Sequence, residues 1–422
     1  MGINIEEIIS KKGSLFMLRR LFLIMTVFLF VISGCGVTEP VNQKIHIEEV
    51  SVIKKVDKIQ EQVNSMTLEE KVGQMIIGGF DGYQLDTNVQ SLINQYKLGG
   101  FILFSRNIKD TKQLVQLTNA LKKANTVNKI PLFLSIDQEG GRVNRMPKSI
   151  INTPSNRMIG QSKKSAYSYE LGRVLAKEVS ALGFNVDFAP VLDIQSNPEN
   201  SVIGDRSFGS DANLVAKLGV SMMKGIQTEN VISVVKHFPG HGDTLMDSHY
   251  HLPKVHASLS RLQSFEFIPF KEAIESQADM VMVAHILLSN VDGKYPASMS
   301  KVIIEDILRN QLAFNGVVVS DDLTMGAIVN HYPIANAAIR SVRAGTDLLL
   351  IGHNQDHNVE KVFQALKKAV QDKRISEERI DQSVYRILSL KKKYHLNSTP
   401  KFALQVQELN KMIQQVIKKG TE

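Results

Sequence analysis

From residue 67 onwards, short apolar runs alternate with longer amphipathic stretches. The runs are rich in β-branched and aromatic residues, which predicts strands, and the stretches between them carry apolar residues at helical spacing. The eight predicted strands lie in QMIIGGF, GGFILFS, PLFLSID, FNVDFAPVLDI, ISVVKHF, DMVMVAH, GVVVSDD and DLLLIG. Helices are predicted between them, for example in TKQLVQLTNALKKA, ANLVAKLGVSMMKGIQ and NAAIRSVRAG.

This alternation predicts an α/β protein with a (β/α)8 barrel of the TIM type as its single large domain, at residues 65–397. The alternative is a doubly wound open sheet, which is disfavoured because no Gly-x-Gly-x-x-Gly fingerprint follows the first strand. The stretch ALQVQELNKMIQQVIKKG predicts one further amphipathic helix, within a C-terminal extension at residues 398–422.

The N-terminal segment has the pattern of a secretory signal. The unbroken apolar run LFLIMTVFLFVI follows Arg19-Arg20 and is too short to span a bilayer comfortably. It ends in ISGC, which resembles the bacterial lipobox, so we expect the chain's one cysteine, Cys35, to be acylated. The expected parts are a signal peptide at 1–34 and a tether at 35–64, with the folded domain lipid-anchored to the outside of the cell membrane. An uncleaved membrane anchor is the alternative.

The charge distribution gives no sign of nucleic-acid binding. The chain carries a formal net charge of +8, of which residues 1–34 contribute +2. The remaining +6 is spread thinly, without basic runs interleaved with aromatic residues. A mildly basic surface of this kind suits proximity to an anionic cell wall or membrane.

Polar side chains follow several of the predicted strands. Asp137 ends PLFLSID, Lys236-His237 end ISVVKHF, His285 ends DMVMVAH, and Asp321 ends GVVVSD. In a barrel these residues fall on the carboxyl-terminal rim, where catalytic side chains gather. For each residue alone, the alternative is a polar strand end that caps a helix or faces solvent.

Two adjacent carboxylates end one strand, in VVVSDDLTMGA. Neighbouring residues at a strand end point to opposite sides, so we expect only one of the two to face the barrel mouth. A carboxylate there can attack a carbon centre or stabilise a developing cation. Asp322 lies nearer the helix expected from Thr324 and suits its cap, which leaves Asp321 as the chemical candidate.

Histidines cluster around KHFPGHGDTLMDSHYHLP. Within it, Asp247 and His249 project to the same side of an extended loop, so the carboxylate can orient the imidazole for proton transfer near neutral pH. His249 and His251 also have the spacing of a metal-binding pair. Because both lie in a loop, we expect no metal, which unchanged activity after chelation would confirm.

Two further loops carry guanidinium groups. IDQEGGRVNR places two glycines after a strand-end carboxylate, followed by Arg142 and Arg145, and GDRSFG supplies Arg206. Glycines allow the backbone to turn sharply beside a ligand. Together the loops predict a pocket for a small, hydroxyl-rich polar molecule.

Five motifs, in this order along the chain, resemble one family: DQEGGRVNR, GDRSFG, KHFPGHGDT, PASMS and SDDLTMGA. They are similar to those of the β-N-acetylhexosaminidases of glycoside hydrolase family 3, over residues 67–396. The resemblance implies a (β/α)8 barrel that needs neither cofactor nor metal. It also implies terminal β-linked N-acetylglucosamine (GlcNAc) as substrate, notably GlcNAc attached to N-acetylmuramic acid in peptidoglycan fragments and muropeptides.

The resemblance also implies roles for individual residues. Asp321 matches the nucleophile, which forms a covalent glycosyl-enzyme with retention of configuration. His249 matches the acid/base on a mobile loop, with Asp247 as its partner. The sugar-binding positions are matched by Asp137, Arg145, Arg206, Lys236 and His237. Of the other clustered histidines, we expect His241 to support the loop and His251 and His256 to be incidental.

Three alternative functions remain at this stage. A neutral histidine does not repel an incoming anion as a carboxylate does, so phosphate could replace water and make the protein a phosphorylase. A catalytically silent wall-binding lipoprotein would keep the pocket, although it would be expected to lose the nucleophile or the acid. A β-glucosidase of the same family would carry a carboxylate acid/base on an additional domain and lack the KHFPGHGDT…DSH loop.

Overall fold

A computed structural model describes residues 57–244, 247–248, 250–402 and 405–421. The predicted signal peptide, Cys35, most of the predicted tether and His249 lie outside the described residues. Among the described residues, none of the helices has the length and apolar content needed to cross a bilayer.

Eight parallel strands close into a barrel, as the sequence predicts. Around the barrel their order is β1, β10, β9, β7, β5, β4, β3, β2. Two additional short strands, β6 and β8, pair outside it. The strands are β1 (Ile76–Gly78), β2 (Gly100–Ile102), β3 (Phe133–Ile136), β4 (Val186–Asp187), β5 (Ile232–Phe238), β6 (Lys254–Val255), β7 (Met280–Val283), β8 (Leu287–Leu288), β9 (Val317–Asp322) and β10 (Leu348–Ile351).

Helices connect the barrel strands and bury their apolar faces against them. The α-helices are Lys58–Ser65, Leu68–Gln74, Thr87–Asn94, Thr111–Ala124, Asn156–Ser162, Ser165–Ala181, Ala212–Thr228, Leu259–Ser264, Ile268–Glu275, Gly326–Val329, Ile334–Ala344, Asn358–Gln371, Glu377–Lys393 and Val406–Thr421. Val302–Gln311 is a π-helix, and four 3₁₀ turns cover Ser105–Asn107, Asn125–Val127, Gly204–Arg206 and Ala297–Met299.

Folded structure begins earlier than the predicted start of the domain. The tether was expected to extend to residue 64, but helix Lys58–Ser65 already packs on helix Glu377–Lys393. Asp57 caps this helix and accepts a hydrogen bond from the Tyr385 hydroxyl at 2.8 Å. Its two buried side chains, Ile59 and Val63, are one helical turn apart. In the sequence this stretch resembles a linker because it has few apolar residues. It is ordered because those few residues pack against a helix that lies far away along the chain.

Local capping signals define the helix that leads into the barrel. Thr67 accepts a hydrogen bond from the Glu70 backbone, and the Glu70 carboxylate accepts one from the Thr67 backbone, which forms a capping box. The predicted C-terminal helix is confirmed at Val406–Thr421, with Leu409 and Ile413 buried. It packs against helix Ser165–Ala181 on the outside of the barrel.

Candidate active site

A cavity of about 410 Å³ opens at the carboxyl-terminal mouth of the barrel. Ser248, the residue before His249, contributes to its wall. The cavity is also lined by every predicted sugar-binding residue and by the predicted nucleophile: Asp137, Arg145, Arg206, Lys236, His237 and Asp321. Residues scattered over 185 positions of sequence therefore meet in one place.

Two of the strands that supply these residues contain register shifts at the functional positions. Between β5 and β7 the pairing changes between Val235 and Phe238, which brackets Lys236-His237. Between β9 and β10 it changes where Leu348 pairs with Val319 but Leu350 pairs with Asp322, so an extra residue is accommodated beside Asp321. Bulges of this kind re-aim side chains near active sites.

A chain of alternating charges forms the floor of the cavity. Lys236 Nζ lies 2.5 Å from Asp137 Oδ1 and 2.8 Å from Glu139 Oε1. Arg206 donates two 2.8 Å hydrogen bonds to the carboxylate of the same Glu139, one from Nε and one from Nη2. Because Lys236 and Glu139 are almost fully buried, each depends on its partners to remain charged.

The pKa shifts of these groups follow from this pairing. Burial alone would raise the pKa of Glu139, but Arg206 and Lys236 outweigh it and hold that pKa well below its ordinary value. Burial would lower the pKa of Lys236, but Asp137 and Glu139 outweigh it and raise that pKa. The floor therefore presents fixed donors and acceptors, which suits the hydroxyl groups of a sugar.

A second buried carboxylate, Asp193, binds both His237 and the backbone of His241. It accepts a 2.6 Å hydrogen bond from the His241 backbone and lies 2.6 Å from His237 Nδ1. Although burial opposes it, His237 lowers the pKa of Asp193. With Nδ1 engaged, the other ring nitrogen of His237 lies 3.4 Å from Arg206 Nη2 at the cavity wall. Asp193 therefore fixes the imidazole of His237 in one orientation.

His241 supports the loop, as predicted. Its ring lies between Thr244 Oγ1 at 2.9 Å and Ser248 Oγ at 3.2 Å, and it is almost fully buried. Burial, reinforced by the nearby His237, lowers the pKa of His241 from 6.5 to about 4. The ring is therefore neutral in the folded protein at neutral pH.

This shift predicts a pH-dependent loss of stability. The unfolded chain binds the His241 proton below pH 6.5 whereas the folded protein resists it until about pH 4. The stabilisation is therefore complete above pH 6.5 and is lost as the pH falls towards 4, by up to about 3 kcal/mol. Burial raises the pKa values of Glu178 and Asp187, so these two groups have the opposite effect and favour the folded protein more as the pH falls. The effect of His241 is therefore measured as the difference in unfolding free energy between the wild type and a His241 variant.

Urea unfolding of the wild type and of His241→Gln, at several pH values from 7 to 4, isolates this contribution. We expect the difference in unfolding free energy to shrink as the pH falls. The exposed His251→Gln variant, which lies in the same loop, should follow the wild type. A difference that stays constant with pH would contradict the assigned neutral state of His241.

The residues on either side of His249 are held beside the element that follows Asp321. The Ser248 carbonyl accepts a 3.1 Å hydrogen bond from the Ala327 backbone, and the Tyr250 carbonyl accepts one from Asn330 Nδ2 at 3.1 Å. The Asp247 carbonyl accepts hydrogen bonds from the backbones of Tyr250 and His251. The segment that carries the predicted acid/base thus runs along the β9 side of the cavity.

Asp321 and Asp322 are distinguished by their partners. Asp322 is the more buried, and its Oδ1 accepts hydrogen bonds from the Thr324 backbone, the Thr324 hydroxyl and the Gly352 backbone at 2.7–2.9 Å. It closes the turn after β9 but does not cap the next helix, which begins at Gly326 with Met325 as its N-cap, so the predicted capping role is wrong. Asp321 is half-buried, and its Oδ1 accepts a 2.8 Å hydrogen bond from the Asp322 backbone. Both residues line the cavity, so the expectation that only one would face the barrel mouth is wrong.

His285, predicted on the rim, and Arg142, predicted in a pocket loop, do not line the cavity. His285 is fully buried, 2.7 Å from Ser298 Oγ and 2.9 Å from the Asp322 carbonyl, because β7 ends one residue lower than its apolar run suggests. Arg142 instead donates to the carbonyls of residues 201–203 and pairs with Asp205. Both support neighbouring loops.

The turn after β3 requires its two glycines. Gly140 and Gly141 have φ angles of +81° and +56°. A Cβ on Gly141 would also come within 2.6 Å of Ser155. The turn brings the chain back so that the Arg145 backbone donates to Gln138 Oε1 at 2.8 Å. This return places Arg145 in the cavity wall.

The sequence prediction missed two carboxylates of the site. Glu139 joins Lys236 to Arg206, and Asp193 holds His237 and His241. A usable signal existed for Glu139, since it lies two residues from Asp137 in DQEGG. Asp193 ends the apolar run FNVDFAPVLDI in the same way as the predicted rim residues.

Aromatic and apolar side chains also line the cavity. His353 stacks on Phe104 with ring centroids 6.1 Å apart and planes 10° from parallel. Ile102, Met282 and Leu350, on strands β2, β7 and β10, also line the cavity. A cavity with both fixed polar groups and apolar side chains suits a sugar, which carries hydroxyl groups at its edge and C–H groups on its faces.

Comparison with known proteins gives a consistent picture. Residues 67–390 match the family described as Glycosyl hydrolase family 3 N terminal domain. The chain is 36% identical over 332 residues to the β-hexosaminidase A of Pseudoalteromonas piscicida. This match covers 73% of this chain but only 56% of that relative. It is 34% identical over 302 residues to the β-hexosaminidase of Nitrosomonas eutropha, covering 69% of this chain and 85% of that one.

A solved structure resembles the fold described above. The glycoside hydrolase family 3 β-N-acetylglucosaminidase from Paenibacillus sp. str. FPU-7 superposes with a TM-score of 0.79 at 40% identity. The match covers 84% of this chain and 69% of that one.

Proposed function

The chain belongs to glycosyl hydrolase family 3, and from that premise we propose that it is a retaining β-N-acetylglucosaminidase that removes terminal GlcNAc. The carrying observation is that Asp321 shares one cavity with the charged floor formed by Asp137, Lys236 and Arg206. A carboxylate opposite fixed hydroxyl-binding groups can hold a sugar with its anomeric carbon over the nucleophile.

In the proposed reaction, Asp321 attacks the anomeric carbon while the bond to the leaving oxygen breaks. His249, oriented by Asp247, donates its proton to that oxygen, which leaves as an alcohol. The neutral imidazole then takes a proton from water, whose oxygen attacks the glycosyl-aspartate and releases the sugar. Two inversions at one carbon give retention, with a histidine in place of the usual second carboxyl group.

Comparing two chromogenic substrates tests the sugar specificity. We expect release of nitrophenol from 4-nitrophenyl N-acetyl-β-glucosaminide and little from the corresponding β-glucoside. The reverse preference would indicate the β-glucosidase alternative. Turnover of neither substrate would contradict the hydrolase proposal and favour the silent wall-binding alternative.

Phosphorolysis is the second candidate, because a neutral histidine beside the intermediate does not repel an incoming phosphate as a carboxylate would. A solved β-glucoside phosphorylase superposes on this chain with a TM-score of 0.76 at 25% identity. We expect hydrolysis to dominate. Product analysis in phosphate buffer decides between the two, since sugar 1-phosphate as the major product would overturn the hydrolase proposal.

We further propose peptidoglycan fragments as the natural substrate, on the strength of the motif resemblance and of the expected position of the enzyme outside the membrane on an acylated Cys35. Incubation with purified muropeptides should release GlcNAc detectable by mass spectrometry. Cells that produce the protein can be grown with a radioactive fatty acid to test the anchor. The wild type should become labelled and a Cys35→Ala variant should not, since Cys35 is the chain's one cysteine.

A further inference from the structure

A second cavity adjoins the first and shares a wall with it. It has a volume of about 420 Å³ and lies between the loop after β2 and the loop after β3. Arg145 lines both cavities, whereas every other lining residue of the second belongs to it alone. The remaining wall is formed by Ser105, Ile108, Lys109, Asp110, Asn144, Met146, Pro147, Lys148 and Ser149.

The second cavity is electropositive. Its cationic groups are Lys109, Arg145 and Lys148, against a single carboxylate, Asp110. Asp110 Oδ1 already accepts a 2.8 Å hydrogen bond from the Gln113 backbone as a helix cap. Within the part of the chain that the structure describes, the three cationic side chains form no ion pair or hydrogen bond, and Arg145 Nε is buried without a partner. These charges are therefore available to an anion.

The walls of this cavity are fixed by hydrogen bonds. On one side, Gln113 Nε2 donates to the carbonyls of Tyr83 and Asn107 at 2.7 and 3.1 Å. On the other side, Asn410 of the C-terminal helix donates to the Ser149 carbonyl at 2.8 Å and accepts from the Ile151 backbone at 2.9 Å. These hydrogen bonds tie the two loops that carry the cavity to neighbouring elements.

The barrel order shows which end of the sugar faces this cavity. β3 lies four strands from β9 in either direction, so the loop after β3 is directly across the mouth from Asp321. We therefore place the sugar with its anomeric carbon over Asp321 and its far hydroxyl groups towards Arg145, which lines both cavities. The primary hydroxyl on C6 extends furthest from the ring and is best placed to carry a group into the second cavity.

We propose that the second cavity is a subsite for an anionic ester, phosphate or sulfate, on the C6 oxygen of the terminal sugar. This rests on the proposed function, because the orientation of the sugar follows from Asp321 as nucleophile. The enzyme then accepts glycosides whose terminal residue is GlcNAc 6-phosphate or 6-sulfate. A neutral substituent of similar size gains nothing from the unpaired cations.

Four chromogenic substrates test this subsite: the 4-nitrophenyl glycosides of GlcNAc, GlcNAc 6-phosphate, GlcNAc 6-sulfate and 6-O-methyl GlcNAc. We expect kcat/KM for at least one anionic ester to equal or exceed that for GlcNAc, and kcat/KM for the methyl ether to be lower. The two anionic arms distinguish phosphate from sulfate. Turnover of both esters at less than a tenth of the GlcNAc rate overturns the proposal.

The double variant Lys109→Gln/Lys148→Gln should lower kcat/KM for the preferred ester about fivefold, with less than a twofold change for GlcNAc. Lys217→Gln, on the exposed face of helix Ala212–Thr228, is the matched control and should change neither. Added salt should weaken the preference in the wild type, since these cations are near solvent. An equal loss on all substrates would show a structural role and overturn the subsite.

Calorimetric binding separates failure of the subsite from failure of the proposed reaction. Free GlcNAc 6-phosphate or 6-sulfate should bind more tightly than GlcNAc to the wild type, and the double variant should lose that difference. If the esters bind more tightly but no glycoside is cleaved, the reaction is wrong and the subsite stands. If GlcNAc glycosides are cleaved but the esters bind no better than GlcNAc, the subsite is wrong and the reaction stands.

Discussion

Replacing Asp321 by asparagine should lower kcat/KM on N-acetylglucosaminides by at least about 10⁴-fold, as expected when a nucleophile is removed. The amide has almost the same shape but cannot form the glycosyl-enzyme. Since Asp321 is only half-buried, the fold should tolerate the change. Release of nitrophenol measures the loss, and thermal unfolding checks that the variant is folded.

Asp322→Asn is the matched control, because it makes the same change one residue away. Its carboxylate holds the turn after β9 through Thr324 and Gly352, so we expect a loss of stability of about 1–3 kcal/mol. The catalytic loss should be far smaller than for Asp321→Asn once the folded fraction is taken into account. If Asp322→Asn were the inactive variant and Asp321→Asn active, the two carboxylates would have to exchange roles.

The barrel could be predicted from the sequence because its strands lie in short, largely apolar runs that are separated by amphipathic helical stretches. Strand β5 coincides with the predicted run ISVVKHF, and all eight predicted segments contain a barrel strand. Parallel strands buried on both faces form continuous apolar runs, so they are easy to recognise. The rim positions of Asp137 and Asp321 follow directly from where those runs end.

The orientation of the site residues could not be predicted in the same way. A strict two-residue period places Asp321 and Asp322 on opposite sides, yet both contribute to the cavity wall. The register shifts beside Lys236-His237 and Asp321 break that period. Shifts of this kind depend on contacts with neighbouring strands, which one sequence does not display.

The roles of the buried carboxylates were also beyond the sequence prediction. Glu139 becomes a site residue because Lys236 and Arg206 converge on it from two distant loops. Asp193 holds His237 and His241 from another loop. A carboxylate next to a predicted strand is visible in the sequence, but its partners are defined only by the closed barrel.

Replacing His249 by alanine should have an effect that depends on the leaving group. An alkoxide leaves poorly without a proton, so kcat/KM on a GlcNAc disaccharide should fall by about 10²–10⁴-fold. Nitrophenolate leaves readily without help, so kcat/KM on the nitrophenyl glycoside, which reports only the first step, should fall less than about tenfold. Steady-state kinetics on both substrates gives the comparison directly.

The second half of the reaction gives an independent check. Without His249 no base activates water, so the glycosyl-enzyme should accumulate and kcat should fall even on the nitrophenyl substrate. Azide needs no base to attack, and it should restore kcat and yield a glycosyl azide. The neighbouring exposed His251→Ala is the matched control and should behave as the wild type. Equal losses on both substrates, without rescue by azide, would mean that His249 shapes the loop and that another group transfers the proton.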